Sequence, residues 1–128
     1  MTVLDTHTWI WWVGDERQFL SQKAIETIEC ADEIGVSAIS CLEVTLLVKK
    51  QRVILPVNLI QWFDLALQAN NILLLPITPE IVVKIELFPD IHRDPMDHII
   101  MATALYYNAP LISKDENIHQ YPDVSVIW

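Results

Sequence analysis

The sequence predicts an α/β protein: a three-layer sandwich with a mainly parallel central sheet between two layers of helix. Three observations carry the prediction. Short apolar runs suited to buried strands alternate with stretches of helical periodicity from one end of the chain to the other. No repeat, low-complexity tract or internal linker interrupts that alternation. Acidic residues stand where strands should hand over to helices or turns, at Asp5, Glu43, Asp97 and Asp115.

Taken in order, Thr2–Asp5 reads as the first strand, and a short helix through Trp9-Ile10-Trp11-Trp12 stops near Gly14. Ser21 is placed to cap the next helix, with Leu20 and Ile25 as its hydrophobic staple. Ile34–Ser37 is the second strand, and Ser40 to about Lys50 the helix after it. A further helix is expected from Pro56 to Asn70, turning Leu59, Ile60, Phe63, Ala66 and Leu67 inward. Ile72–Pro76 is the third strand. Thr78-Pro79 pairs a capping residue with proline at the first helical position, opening a helix through Ile81–Leu87. Phe88–Arg93 is a loop, Pro95–Asn108 a helix, and Leu111–Ser113 and Val124–Ile127 the last strands.

At 128 residues the chain is expected to be a single domain, long enough for a real core. Apolar residues make up 52% and charged residues 20%, a surplus of apolar surface best explained by a partner or by self-association. The longest apolar stretches, such as Ile72-Leu73-Leu74-Leu75, fall far short of a membrane span. No charged-then-apolar leader precedes Asp5, so no signal peptide is expected. Cys30 and Cys41 form neither a CxxC pair nor a ligand spacing; they are expected to be small core residues in a reducing cytoplasm.

A net charge of −9 and a pI near 4.6 argue against a nucleic-acid surface taken alone. Bound cations reverse the local sign, however, and the bases are clumped, with Lys49, Lys50 and Arg52 in one short stretch. Lys49 and Arg52 are candidate phosphate contacts; a solvated helix end, where cations suit the dipole, is the competing reading.

Two glycines in the whole chain exclude a P-loop and GxGxxG, and no GxSxG elbow is present. The four histidines make no HExxH, and His98 is expected on a helix surface. The Trp9–Trp12 run is read as core or interface before a base-stacking platform. The carboxylates remain. In an open parallel sheet the strands' carboxyl ends share the edge at which ligands bind. Carboxylates gathered there repel by roughly 4 kcal/mol per close pair at an effective dielectric of 20. A hard divalent cation with oxygen ligands relieves that repulsion. Simpler roles compete: Ser40-Cys41-Leu42-Glu43 fits a capping box, Asp94 and Asp97 suit the first turn of the helix at Pro95, and Asp115 suits a turn.

The string His92-Arg93-Asp94-Pro95-Met96-Asp97-His98-Ile99-Ile100-Met101-Ala102-Thr103-Ala104 resembles the signature helix of PIN-domain nucleases, particularly VapC-type toxins. Leu4-Asp5-Thr6-His7-Thr8 is similar to that family's first strand, Val36 to Val44 to its second-acid motif, and Leu111-Ile112-Ser113-Lys114-Asp115 to its last. The four motifs stand in family order and span almost the whole chain. The resemblance implies parallel strands between helices, a metal-dependent ribonuclease, a homodimer and a separately encoded antitoxin. It places Asp5, Glu43, Asp97 and Asp115 in the acidic quartet, with Asp94 as an extra acid. Thr6 and Ser113 become the small hydroxyl residues beside the first and last acids, candidates for substrate binding. His98 stands where the family often has arginine.

The expected chemistry is hydrolysis of RNA by metal-activated water. Asp5 and Asp97 would hold the principal Mg2+ or Mn2+, with Glu43 and Asp115 completing the cluster. Two alternatives are kept. Asp5-Thr6-His7-Thr8 partly matches an aspartate-nucleophile phosphohydrolase, though His7 stands where its second acid belongs. The acids can also be helix caps on an acidic interaction module.

Overall fold

Successive residues of a strand point to opposite faces of its sheet, and Val3 and Leu4, side by side near the start of the chain, are both fully buried. Both faces of the sheet are therefore covered. A computed structural model describes residues 1–128, the side chain of Ala69 excepted. Strands β1 (Thr2–Leu4), β2 (Ile34–Ser37), β3 (Ile72–Leu75), β4 (Leu111–Ile112) and β5 (Val126–Ile127) form one sheet in the order β3-β2-β1-β4-β5. Every pairing is parallel, with Leu4 beside Val36 on one flank and Ile112 on the other.

The helices are α1 (Thr6–Val13), α2 (Gln22–Cys30), α3 (Ile39–Lys49), α4 (Leu59–Asp64), α5 (Pro79–Val82), α6 (Pro95–Tyr106) and α7 (Glu116–His119). On one face Leu4, Val36 and Ile112 pack with Trp9 and Ile10 of α1, Ile28 of α2, Val44 of α3 and Trp62 of α4. On the other, Val3, Leu75 and Leu111 pack with Ile100, Met101 and Ala104 of α6, Ile118 of α7 and Tyr121. The result is the three-layer sandwich that the alternation predicts. Trp9 is wholly buried, edge-on to Trp62 at 4.8 Å between ring centroids, in keeping with a core role.

The caps at Ser21 and Thr78 form as expected, accepting the backbone N–H of Ala24 and of Ile81. The helix expected from Pro56 begins instead at Leu59, because the Asn58 side chain accepts the Gln61 N–H and closes the first turn there. Of its expected inward face, Ala66 is buried and Leu59, Phe63 and Leu67 pack against the core, where Trp62 joins them, but Ile60 is 72% exposed. Beyond Asp64 the helix widens into a π-helical stretch, Leu65–Ala69. There the Trp9 indole N–H donates to the Ala66 carbonyl at 3.3 Å. The helix expected through Ile81–Leu87 is α-helical only to Val82 and continues as a 3₁₀ turn over Val83–Leu87, while the 3₁₀ turn at Arg17–Phe19 and α7 had no expectation from sequence. Cys30 is exposed and Cys41 half-buried, so the cysteines do not fill the core as expected.

With glycine so scarce, left-handed positions just after helices are taken by Asp15, Gln51, Asn71 and Asn108, with φ between 51° and 58°. Gly35 is needed for room: a Cβ there would lie 2.6 Å from Leu75 Cδ1 on the adjoining strand. Among the described residues, no helix is long and apolar enough to cross a membrane.

Candidate metal centre

The chain steps from β1 through β2 to β3 on one side and places β4 and β5 on the other, so strand order reverses beside β1. In a parallel sheet that reversal opens a crevice at the carboxyl ends of the strands. Asp5 follows β1 directly and caps α1. Its Oδ1 accepts the Thr6 N–H at 2.8 Å and its Oδ2 accepts the Ser113 hydroxyl at 2.6 Å from the end of β4. Ser113 Oγ also accepts the Asp115 N–H at 3.1 Å, so one buried hydroxyl joins two of the acids.

Glu43 lies in the second turn of α3, a helix that starts at Ile39 with no side-chain cap. Ser40 is inside that helix, so the capping box does not form. Instead the Thr6 hydroxyl donates to Glu43 Oε1 at 3.0 Å and stands 2.9 Å from Ser40 Oγ, in a chain of hydroxyls crossing from α1 to α3. Asp97, in the first turn of α6, is 7% exposed, with Oδ2 2.7 Å from His92 Nε2. Asp94 caps α6 through the Met96 N–H, and Asp115 caps α7 through the Asn117 N–H.

Asp5, Glu43 and Asp97 each offer an oxygen, and the three atoms lie within 4.8 Å of one another. Burial pushes all three carboxyls up: Glu43 to about 7, Asp97 to about 6, and Asp5 above its ordinary value. Hydrogen bonds from Thr6, His92 and Ser113 pull the other way, and the acids' mutual charge adds to the rise. Desolvation and crowding thus make three anions costly here unless a cation joins them. An all-oxygen donor set at this spacing fits a hard dication, whose ligands stand roughly 2.0–2.6 Å from the ion.

The acids open on a cleft of about 550 Å³, whose wall also includes His7, Trp11 and Lys114. Sequence reasoning had no role for those three, nor for His92, whose signal was its place at the head of the His-Arg-Asp-Pro string. Lys49 and Arg52 do not line the cleft: Lys49 is the last residue of α3 and Arg52 follows the helix, both exposed. Thr6 and Ser113 have no exposed surface to offer a substrate; they hold Glu43 and Asp5 in place. His98 is not on a free helix surface, since its Nε2 lies 3.2 Å from the buried Tyr121 hydroxyl.

Fold and site together define an α/β domain with a cation-binding crevice at the carboxyl edge of a parallel sheet. The PIN domain family matches residues 2–124, and the chain belongs to that family. Ribonuclease VapC22 of Mycobacterium tuberculosis is 33% identical over 129 residues, covering 98% of this chain and 97% of that protein. Among solved structures, VapBC2 from Rickettsia felis, bound to a DNA fragment of its promoter, superposes with a TM-score of 0.69. It is 12% identical and covers 98% of this chain and 96% of its own. A toxin–antitoxin complex from Klebsiella pneumoniae has a TM-score of 0.63 at 20% identity, covering 100% of this chain and 97% of its own. The two structural likenesses speak to the fold.

Proposed function

We propose that this chain is a divalent-cation-dependent endoribonuclease of the VapC type, the toxin of a toxin–antitoxin pair, with its 128 residues forming one nuclease domain. The observation that carries the reading is the convergence of Asp5, Glu43 and Asp97 from three separate elements into one crevice. Asp5, Asp94 and Asp115 each cap a helix, so a purely structural account covers them. Glu43 and Asp97 accept no backbone N–H; each is held by another side chain and turned toward the cluster. An acidic interaction module has no use for that arrangement. Nor does Asp5 suit a nucleophile, since both its oxygens accept hydrogen bonds.

In this reading Asp5, Glu43 and Asp97 hold Mg2+ or Mn2+, and Asp115 and Asp94 flank it. A cation bound there supplies Lewis acidity, acidifying water and offsetting charge on the scissile phosphate. Ser113 and Thr6 keep their carboxylates from turning away when the phosphate arrives. Lys114, on the cleft wall, is the base placed to meet the backbone of RNA in an otherwise acidic surface. Hydrolysis forms a bond from water oxygen to phosphorus as the bond to the leaving ribose oxygen breaks.

The protein acts in the cytoplasm as a homodimer, with a cognate antitoxin that neutralises it. Support for partners comes from apolar side chains left in solvent. Ile54 is 94% exposed beside a groove lined by Val53, Leu55, Val57 and Trp62, and Leu87 after α5 is 84% exposed.

The test is cleavage of total cellular RNA by purified protein with Mg2+ or Mn2+, followed by sequencing of the new ends. Asp5→Asn should abolish cleavage while keeping the fold, because the amide can still accept the Thr6 N–H. An Asp5→Asn preparation with undiminished, EDTA-sensitive activity defeats the proposal.

A further inference from the structure

We propose that His92 Nε2, together with Asp97 and Asp115, forms a second cation position that shares Asp97 with the three-carboxylate one and favours a first-row transition dication over Mg2+. The inference rests on the metal dependence proposed above and concerns which cation the site selects.

Three observations carry it. His92 Nε2, an Asp97 oxygen and an Asp115 oxygen all lie within 4.8 Å of one another, a spacing that one ion spans. The donor set differs in kind from its neighbour: one imidazole nitrogen with two carboxylates, against three carboxylates. Imidazole is a ligand of transition ions, whereas Mg2+ takes oxygen and sheds its water reluctantly. The loop that carries His92 is also anchored through its backbone. The hydroxyl of Tyr121, a residue only 2% exposed, accepts the His92 main-chain N–H at 3.0 Å and lies 3.3 Å from the His92 carbonyl, which fixes where the ring starts from.

His92 Nε2 and Asp97 Oδ2 stand 2.7 Å apart. With Nε2 turned to a cation, the ring's hydrogen would reside on Nδ1. Two positions sharing a carboxylate also match the arrangement in which paired ions clamp the two sides of a phosphoryl displacement.

The experiment is pulsed electron paramagnetic resonance on the intact chain titrated with Mn2+, with equilibrium dialysis to count bound ions. The expected result is two equivalents and a nitrogen-14 coupling of the size made by a directly bound imidazole. His92→Gln should retain one equivalent and lose that coupling, and Mg2+ should displace its remaining Mn2+ at roughly one-tenth the concentration needed in the parent. Because His7 also faces the cleft, His7→Gln is the control and should keep the coupling. Should His92→Gln fail to fold by circular dichroism, Asp115→Asn takes its place and should lose the second equivalent. Mn2+ binding with no ligating nitrogen, or a coupling that survives His92→Gln, overturns the inference and leaves the nuclease reading standing. A chain that binds no Mn2+ at all overturns both.

Discussion

The Ser113 hydroxyl lies 2.6 Å from Asp5 Oδ2, joining the ends of β4 and β1 across 108 positions of sequence. Ser113 Oγ also accepts the Asp115 N–H, so one side chain sets the spacing of two acids. Ser113→Ala removes the bond and leaves a buried carboxylate oxygen without its donor. The expected loss is about 1–3 kcal/mol in urea unfolding, with cation affinity reduced roughly 10- to 100-fold in a Mn2+ titration.

Thr6 plays the matching part for Glu43. Its methyl is buried as fully as its hydroxyl, so Thr6→Val keeps the packing and deletes the donor to Glu43 together with the hydrogen bond to Ser40. Thr6→Val should weaken cation binding by roughly 10-fold or more; Thr6→Ser should restore most of it. Equal binding by Thr6→Val and the parent in calorimetric titration would refute a positioning role.

Stability should depend on pH in a direction opposite to that of most carboxylate-rich proteins. Glu43 and Asp97 ionise at about 7 and about 6 when folded, above their ordinary values of 4.5 and 3.8. The folded chain therefore holds more protons than the unfolded one between those limits, and stability falls as pH rises through the window. In EDTA, Tm should drop by several degrees between pH 5 and pH 8. Saturating Mn2+ favours the ionised acids and should flatten or invert the slope, which differential scanning fluorimetry reads directly.

Gly35 gives a test of the scaffold separate from the chemistry. Leu75 is 4% exposed and has little room to retreat from an added methyl 2.6 Å away. Gly35→Ala should cost about 1–3 kcal/mol by overpacking, with unchanged cation stoichiometry in the folded fraction. A variant as stable as the parent in urea would mean that β2 and β3 part more easily than their packing implies.

Much of the fold was legible because the core strands are short, mostly apolar runs and Asp5, Asp94 and Asp115 each stand at a helix start. Val3-Leu4-Asp5 and Leu111-Ile112-Ser113 read alike and became neighbours. The misreadings have local causes. Asn58 and Pro56 both signal a helix start, and only side-chain geometry decides for Asn58. The π-helical stretch receives a hydrogen bond from an indole on α1, a contact that no local pattern in residues 65–69 records. Ser40 and Glu43 had the spacing of a capping box, but the helix began two residues too early for it. Lys49 and Arg52 were near Glu43 in sequence, yet six residues of helix carry a side chain about 9 Å along the axis. His92 escaped notice because its role depends on a loop held by Tyr121, far off in the chain.

The reversal of strand order beside β1 has a consequence for synthesis. The earliest strand to leave the ribosome is the sheet's middle member, and one of its two neighbours is encoded more than a hundred codons later. Such distant pairings form slowly. A nascent chain stalled short of Ser113 has no fourth strand, leaves Asp5 without its hydroxyl donor and lacks Asp115 altogether. Fragments released by translation aborted before that point would then be harmless to the cell that makes them, and the power to cut would arrive only once Ser113 and Asp115 have been made.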